Sequence, residues 1–153
     1  MTSGDDIQVV IFRTGTQEFA LEISQVERIL RYQRPASLPN APDFLEGVIP
    51  YGDGVAPVVD LRKRLGLEAP ILEDTRLMVV MVDGQRVGML VDQVREVARI
   101  DSRTVAAPPP MVRGLAAKYI AGVLTIGDRT IVLLHTGRLF STKERVKLEE
   151  AIA

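Results

Sequence analysis

The stretch Gly47–Asp53 (GVIPYGD) decides the fold, because its pattern returns 75 residues later at Gly122–Asp128 (GVLTIGD). The apolar runs that follow, Val55–Val59 and Thr130–Leu134, stand at the same offset. Glycine beside aspartate between two apolar runs of strand length is typical of a tight β-hairpin. The sequence therefore predicts an internal repeat whose unit contains a hairpin.

A second pair of segments extends the repeat toward the N-terminus. Phe19–Val26 (FALEISQV) matches Val87–Val94 (VGMLVDQV) at an offset of 68 residues. The Gln-Val pair of this segment and the Gly-Asp pair of the first segment occur in the same order in each half. Each half is therefore predicted to carry five strands and to close as a small barrel without a long open edge. Four hairpin turns are predicted, at Thr14–Thr16, Gly52–Gly54, Asp83–Gln85 and Gly127–Arg129.

Signals for helices are few and local. Asp60 before an apolar pair at four-residue spacing, with Gly66 as a stop, predicts a helix of about two turns. Ser141 followed by Glu144 is a capping-box pattern, which predicts the start of a C-terminal helix. The segments 24–30 and 92–97 leave two alternatives open, a capped turn or a strand from the first residue.

The composition excludes several classes of protein. The chain of 153 residues has 46% hydrophobic residues, no cysteine and a formal net charge of −1. Disulfides, cysteine-ligated zinc and an electrostatic nucleic-acid site are therefore excluded, and no cofactor or metal is expected. The longest apolar run, Leu77–Val82, is far shorter than the roughly 20 residues of a membrane-spanning helix, so we expect a cytoplasmic protein.

Four segments together resemble one family, the CheW-like adaptor domains of bacterial chemosensory systems. The segments are FALEI (19–23) leading to Val26 and Ile29, LPNAP (38–42) with Phe44, GVI (47–49) followed by PVVDLR (57–62), and YIAGV (119–123). The resemblance spans nearly the whole chain. It implies one domain over residues 1–153, built of two pseudo-symmetric, intertwined, five-stranded SH3-like barrels with short helices, including one at the C-terminus.

The resemblance also implies a function and its surfaces. Such adaptors are noncatalytic scaffolds that bind the cytoplasmic tips of methyl-accepting receptors, with a histidine kinase regulatory domain and other adaptors of the family as further partners. The receptor-facing residues it implies are Val26, Arg28, Ile29 and Gly47. The kinase-facing residues it implies are Gly52, Asp53 and Val55.

Three positions depart from the family pattern. Arg28 stands where family members carry a glutamate, and Gly52 stands where they carry the arginine that partners this glutamate. An acidic position in the second half is replaced by His135. Two alternatives follow: an adaptor that recruits the kinase weakly or not at all, or an ordinary coupling protein whose partners have co-adapted.

The same sequence suggests two other functions. His135 as a general base, oriented by Asp128, Asp60 or Glu144, would define a small hydrolytic enzyme, but no serine, cysteine or second histidine accompanies it in a motif. Arginines at 28, 31 and 34 beside Tyr32 suggest a nucleic-acid strip, although a strand would turn them to alternate faces. Composition alone favours the core for Val26, Ile29 and Leu30. For Tyr51, buried and exposed positions are both left open.

Overall fold

The computed structural model describes residues 6–67, 70–107 and 119–152, and these form a mostly β fold, as predicted. The strands are β1 (Asp6–Thr14), β2 (Gln17–Glu22), β3 (Val26–Arg31), β4 (Leu45–Tyr51), β5 (Gly54–Asp60), β6 (Arg76–Val82), β7 (Gln85–Val91), β8 (Gln93–Asp101), β9 (Ile120–Ile126) and β10 (Arg129–Leu134). The α-helices are α1 (Leu61–Arg64), α2 (Thr136–Leu139) and α3 (Thr142–Ile152). All four predicted hairpins are present.

The strands form two five-stranded sheets related by the internal repeat. Their orders are β3-β6-β7-β5-β4, here called barrel 1, and β8-β1-β2-β10-β9, here called barrel 2. Each strand of barrel 1 corresponds to the strand that comes five strands later in the chain, where β1 and β2 are counted after β10. Replacing β3-β6-β7-β5-β4 in this way gives β8-β1-β2-β10-β9, which is the order of barrel 2. The two sheets are therefore pseudo-symmetric copies.

The repeat alone suggests that each half of the sequence closes its own barrel, which is wrong; the intertwined barrels that the family resemblance implies are confirmed. The β6–β7 hairpin of the second half lies in barrel 1, and the β1–β2 hairpin of the first half lies in barrel 2. Each exchanged hairpin is joined to the other strands of its sheet by one pair of parallel strands, β7 with β5 in barrel 1 and β2 with β10 in barrel 2. The exchange arises because the chain passes from one sheet to the other through very short links, Ile23–Gln25 and Asp92, instead of folding back. The barrels are thus intertwined.

Each barrel closes at the valine that follows the repeated glycine. Ala36 and Val48 exchange two backbone hydrogen bonds of 2.8 and 2.9 Å in barrel 1, and Ala106 and Val123 do the same in barrel 2. A Cβ added to Gly47 would lie 2.3 Å from the carbonyl oxygen of Ala36, and the φ angle there is +148°. The Gly-Val pattern therefore marks the point where the returning chain passes too close for a side chain.

Three apolar clusters fill the molecule, one inside each barrel and a larger one between the barrels. Strand β1 contributes to two of them, because Val9 and Ile11 face barrel 2 while Val10 and Phe12 face the cluster between the barrels. A strand covered on both faces reads as a continuous apolar run, which is the pattern of β1 in the sequence. The larger cluster also takes in side chains from all three helices.

A buried cation connects the barrels at their crossover. The Arg62 side chain is only 3% exposed, and its Nε and Nη2 donate to the carboxylate of Asp60 at 2.9 and 3.0 Å. Its Nη1 donates at 3.2 Å to Asp92, the link between β7 and β8. The other oxygen of Asp92 accepts the backbone N–H of Gly15, in the β1–β2 turn, at 2.7 Å. One guanidinium thus joins barrel 1, the crossover and barrel 2.

The predicted caps of both helices are confirmed, but α1 has only four residues, about one turn instead of the predicted two. Asp60 caps α1 by accepting the backbone N–H of Arg62 at 2.9 Å, and Gly66 ends the turn at a φ of +79°. Ser141 and Glu144 form the capping box of α3, with reciprocal bonds of 2.9 and 3.2 Å. Two segments were left with two alternatives by the sequence. Segment 24–30 begins in a 3₁₀ turn (Ile23–Gln25) and continues as β3, whereas segment 92–97 is strand from Gln93 onward.

We predict that Gly47→Ala lowers the free energy of unfolding by more than about 2 kcal/mol, because its methyl group would collide with the backbone at the closing bridge of barrel 1. The matched control is Gly52→Ala, at a φ of +56° with no atom within 4 Å of the added Cβ. The added methyl group meets no neighbour at Gly52, so the expected loss is only the cost of alanine in the left-handed backbone conformation, about 1 kcal/mol. Urea denaturation measures both variants, and equal losses would contradict this account of the Gly-Val pattern.

Candidate interaction surface

A groove of about 640 Å³ opens at one end of barrel 1. It lies between β3, the tip of the β4–β5 hairpin and the tip of the β6–β7 hairpin. Its lining includes four of the seven residues for which the family resemblance implied a partner surface: Arg28, Gly52, Asp53 and Val55. The structure therefore brings one residue assigned to the receptor together with all three assigned to the kinase.

A β-bulge brings two charged residues of β3 to the groove. The pairing of β3 with β6 matches Val26 to Val80 and Arg28 to Val79, so Glu27 is the additional, unpaired residue. A bulge of this kind lets two successive side chains point to the same side of a strand. Both Glu27 and Arg28 consequently meet the same neighbour, Tyr51 at the end of β4.

The Glu27 carboxylate is held by two donors across the groove. Tyr51 donates its hydroxyl to Oε2 at 2.6 Å, and Arg86 donates its Nε to the same oxygen at 2.7 Å. The hydrogen bond from Arg86 and then that from Tyr51 lower the pKa of Glu27. Because the folded-state pKa is depressed, the ion pair is complete at neutral pH and is lost as the pH falls through that value.

The pKa of the Tyr51 phenol is shifted in the opposite direction. Burial first, and then the hydrogen bond to Glu27, raise the pKa of Tyr51 above its ordinary value. Tyr51 is half-buried, so the hairpin tip is neither a fully exposed aromatic nor a core residue. Its ring forms a wall of the groove, and its hydroxyl fixes the carboxylate beside it.

Arg28 is the cation of this groove that is not engaged in an ion pair. Its Cζ lies 5.9 Å from the ring centroid of Tyr51, which orients the guanidinium by a cation–π contact. Among the residues that the structure describes, no carboxylate oxygen lies within 4.0 Å of it. The guanidinium N–H donors are therefore available to a carboxylate from outside the molecule.

The β4–β5 tip supplies the apolar part of the surface. Val55 is 45% exposed, and Asp53 is exposed in the turn. Gly52 adopts a φ of +56° and has no neighbour within 4 Å of an added Cβ. The space beside Gly52 is thus open.

The other residues implied for the receptor do not line this groove. Val26 is half-buried and packs against the cluster between the barrels, and Leu30 packs against the core of barrel 1. Ile29 is 40% exposed, so the composition-based expectation of a core position is wrong for it, because β3 is an edge strand. Gly47 is buried at the barrel closure.

His135 has a structural role at the start of α2. Its Nδ1 accepts the backbone N–H of Gly137 at 2.9 Å, as Asp60 accepts that of Arg62 at the repeat-related position. Two of the three proposed orienting carboxylates are engaged elsewhere, Asp60 with Arg62 and Glu144 with Arg64. Burial acts to raise the pKa of Glu144, but the hydrogen bonds from Arg64 and Ser141 outweigh it and leave the pKa lowered.

Within 6–67, 70–107 and 119–152, no three His, Asp or Glu side chains are grouped so that they could hold a metal ion. None of the helices in this part of the chain is long and apolar enough to cross a membrane.

Sequence reasoning missed two residues of the groove, Glu27 and Arg86. Glu27 reads as an ordinary strand residue, because the bulge that turns it toward Tyr51 has no local signature. Arg86 follows the predicted turn at Asp83–Gln85, but its hairpin reaches barrel 1 only through the exchange. The intertwined barrels that the resemblance implies do not by themselves show which hairpin tips become neighbours, so the β4–β5 and β6–β7 tips could not be placed side by side.

Two interlocked five-stranded barrels, with an open, charged groove between two hairpin tips of one barrel, define a double-barrel β protein. The comparisons with known proteins agree on a narrower assignment. The family model described as "CheW-like domain" matches residues 8–144. The chain belongs to the CheW-like family.

Relatives and a solved structure support this assignment. The chain is 30% identical to the "Chemotaxis protein CheW" of Treponema pallidum over 149 residues, which covers 94% of this chain and 88% of the relative. It is 31% identical to the protein of the same name from Rhizobium meliloti, with 90% of each chain covered. The crystal structure of "scaffolding protein TtCheW" from Thermoanaerobacter tengcongensis superposes with a TM-score of 0.82 at 29% identity, covering 89% of this chain and 93% of that one.

We predict that Glu27→Gln lowers the pKa of Tyr51 toward its ordinary value, because the substitution removes the negative charge that opposes ionisation of the phenol. Tyrosine labelled with ¹³C at Cζ allows Tyr51 to be followed by NMR during a titration to high pH. Glu46→Gln is the control, since Glu46 pairs with Lys63 and not with Tyr51. An unchanged Tyr51 titration in Glu27→Gln would contradict the described network.

Proposed function

We propose that this protein is a noncatalytic chemosensory scaffold that holds receptor cytoplasmic tips and a histidine kinase regulatory domain at fixed positions in an array. The observation that carries the proposal is the pair of exposed apolar residues on separate features of barrel 1. Ile29 lies exposed on the edge strand β3, whereas Val55 lies in the groove at the β4–β5 tip. A body with two such sites can join two partners without any chemistry of its own.

The receptor site in this proposal is centred on Ile29, beside Val26. The buried Gly47 acts there indirectly, because it allows the chain after β3 to close against β4. The kinase site is the groove tip formed by Gly52, Asp53 and Val55. Because the two sites share one barrel, a shift of a receptor tip can be passed to the kinase without a change of fold.

Arg28 determines which partners fit the groove. Its guanidinium is oriented by Tyr51 and lacks a carboxylate of its own among the described residues, so a favourable partner presents an acidic residue there. A kinase domain adapted to a glutamate at this position would bring a cation against Arg28 and bind weakly. A kinase domain from the same genome that has co-adapted would bind normally.

The enzyme alternative has no comparable support. A general base needs a free lone pair within hydrogen-bond reach of substrate, but Nδ1 of His135 is engaged by the backbone of Gly137. The imidazole caps a helix in the same way as the aspartate of the other half does. This geometry accounts for His135 without a substrate.

We predict that Ile29→Asp weakens receptor binding at least about tenfold and leaves kinase binding unchanged, whereas Val55→Asp has the reverse effect. A carboxylate that is desolvated in an apolar contact without a partner is strongly unfavourable. Binding of each variant is measured by calorimetry against a receptor cytoplasmic fragment and the kinase regulatory domain from the same genome. Val146→Asp is the matched control, since Val146 is 46% exposed on α3 and is not among the residues that line the groove or that the proposal assigns to the receptor site.

Two results would reject this proposal. Full receptor binding by Ile29→Asp would show that the receptor site is not on β3. Equal weakening by Val146→Asp would show that the losses arise from added charge and not from the two sites. Weak kinase binding by the unmodified protein, with intact receptor binding, would identify the adaptor that does not recruit the kinase.

A further inference from the structure

The turns of the two exchanged hairpins are held in different ways. The repeat pairs Gly15 of the β1–β2 turn with Asp83 of the β6–β7 turn, and both residues adopt a positive φ, +66° and +50°. Gly15 donates its backbone N–H to Asp92 at 2.7 Å, and a Cβ added to it would lie 3.1 Å from Cδ1 of Leu67. The β1–β2 turn is therefore covered closely by the chain that follows α1.

A residue from α3 holds the corresponding turn of barrel 1. The repeat pairs Arg62 on α1 with Gly137 on α2, so the second half has no guanidinium at this position of its repeat. Arg145 on α3 brings one there, because its Nη2 donates to the carbonyl oxygen of Gly137 and its Nη1 donates to the Asp83 carboxylate at 3.2 Å. In the first half, the carbonyl oxygen of Arg62 accepts the backbone N–H of Leu67 at 2.7 Å. Each half thus connects a short helix to the turn of an exchanged hairpin, through the packing of Leu67 in one and through an ion pair of Arg145 in the other.

The β6–β7 tip, residues 83–86, depends on such contacts for its position. In the described ranges, the pairing of β6 with β3 reaches only as far as Val80, and the pairing of β7 with β5 begins only at Gly88. Val82 and Val87 anchor the base of the hairpin in the cluster between the barrels. Beyond them the tip pairs with no other strand of the described part of the chain, so side-chain contacts place it.

The tip separates the groove from a second cleft. Gln85 lines both the groove and a cleft of about 140 Å³ between the tip and α3. On the groove side, Arg86 binds Glu27 at 2.7 Å. On the α3 side, Asp83 binds Arg145 at 3.2 Å, and these two side chains are 56% and 30% exposed. The tip is therefore held between β3 and α3 by an ion pair on each side, and the contact with α3 is a weak one because water reaches it.

We propose that Arg145 is a positioning residue for the kinase site: by holding the β6–β7 tip from α3, it keeps Arg86 on Glu27 and fixes the width of the groove. This inference deepens the proposed function, on which it rests, because it names a residue outside the groove that sets the affinity of the groove. A groove wall that is already in place loses less conformational freedom when a partner binds. The C-terminal helix therefore favours kinase binding through this one side chain.

The receptor site should not depend on Arg145. Ile29 pairs with Met78 on β6, and the pairing continues without a shift from Arg28 to Arg31, which holds this part of β3 in the sheet. The tip lies beyond the end of that pairing. A change at Arg145 is therefore expected to separate kinase binding from receptor binding.

The test uses two substitutions that break the same ion pair from opposite ends. Arg145→Gln removes the guanidinium, and Asp83→Asn removes the carboxylate but keeps a residue that suits the left-handed turn position. Each should raise the Kd of the kinase regulatory domain about threefold, as expected for a partly exposed ion pair, and leave the Kd of the receptor fragment unchanged in calorimetry. The double variant should bind like either single variant. Lys147→Gln is the control, since it removes the same charge from α3 at a residue that pairs with Glu150.

A second measurement needs no partner. The hydrogen bond from Arg86 is the main cause that lowers the pKa of Glu27. Loosening of the tip in Arg145→Gln and in Asp83→Asn should therefore raise the pKa of Glu27 toward its ordinary value, whereas Lys147→Gln should leave it unchanged. The side-chain carboxyl carbon of Glu27 is followed by ¹³C NMR during an acid titration.

Four results would overturn the inference. These are an unchanged Glu27 titration in both single variants, unchanged kinase binding by both, an equal rise of the kinase Kd in Lys147→Gln, and effects that add in the double variant. An unmodified protein that does not bind the kinase domain rejects the proposed function alone. In that case a raised pKa of Glu27 in Arg145→Gln still supports the positioning of Arg86 by Arg145.

Discussion

The buried guanidinium of Arg62 is the interaction on which the rest of the molecule depends. It is satisfied only when Asp60 at the end of barrel 1 and Asp92 at the crossover are both in place. Asp92 in turn receives the Gly15 N–H from a turn of barrel 2. Because an unpaired buried charge costs several kcal/mol, neither barrel can reach its final form independently of the other. The strand exchange and this ion network together make one rigid body.

The proposed scaffold function depends on this rigidity. A barrel with two partner sites transmits position only if the sites cannot move relative to each other, and the apolar cluster between the barrels joins all three helices to both sheets. The pseudo-symmetry supplies a second surface from the same backbone pattern. Sequence divergence between the halves then gives equivalent positions different charges, as Arg28 on β3 and its repeat counterpart Glu96 on β8 illustrate.

Much of this fold could be predicted from local sequence, because its signals are local. A turn that needs glycine and aspartate, the cap at Asp60 and the capping box at Ser141 are each specified by neighbouring residues. The exchange of hairpins could not be predicted in this way, since the same strands and turns satisfy both the exchanged and the separate topology. For the same reason Arg86 was missed, although it completes the groove. The exposure of Ile29 depends on the edge position of β3, which is a property of the sheet order.

The measurement that tests this account most directly is the unfolding of each barrel in one urea titration, followed residue by residue by NMR. Amide signals of the β4–β5 hairpin report on barrel 1, and those of the β9–β10 hairpin report on barrel 2. Interlocked barrels joined through Arg62 should lose both sets of signals at one midpoint. An intermediate in which one hairpin is unfolded while the other is intact would contradict the single rigid body.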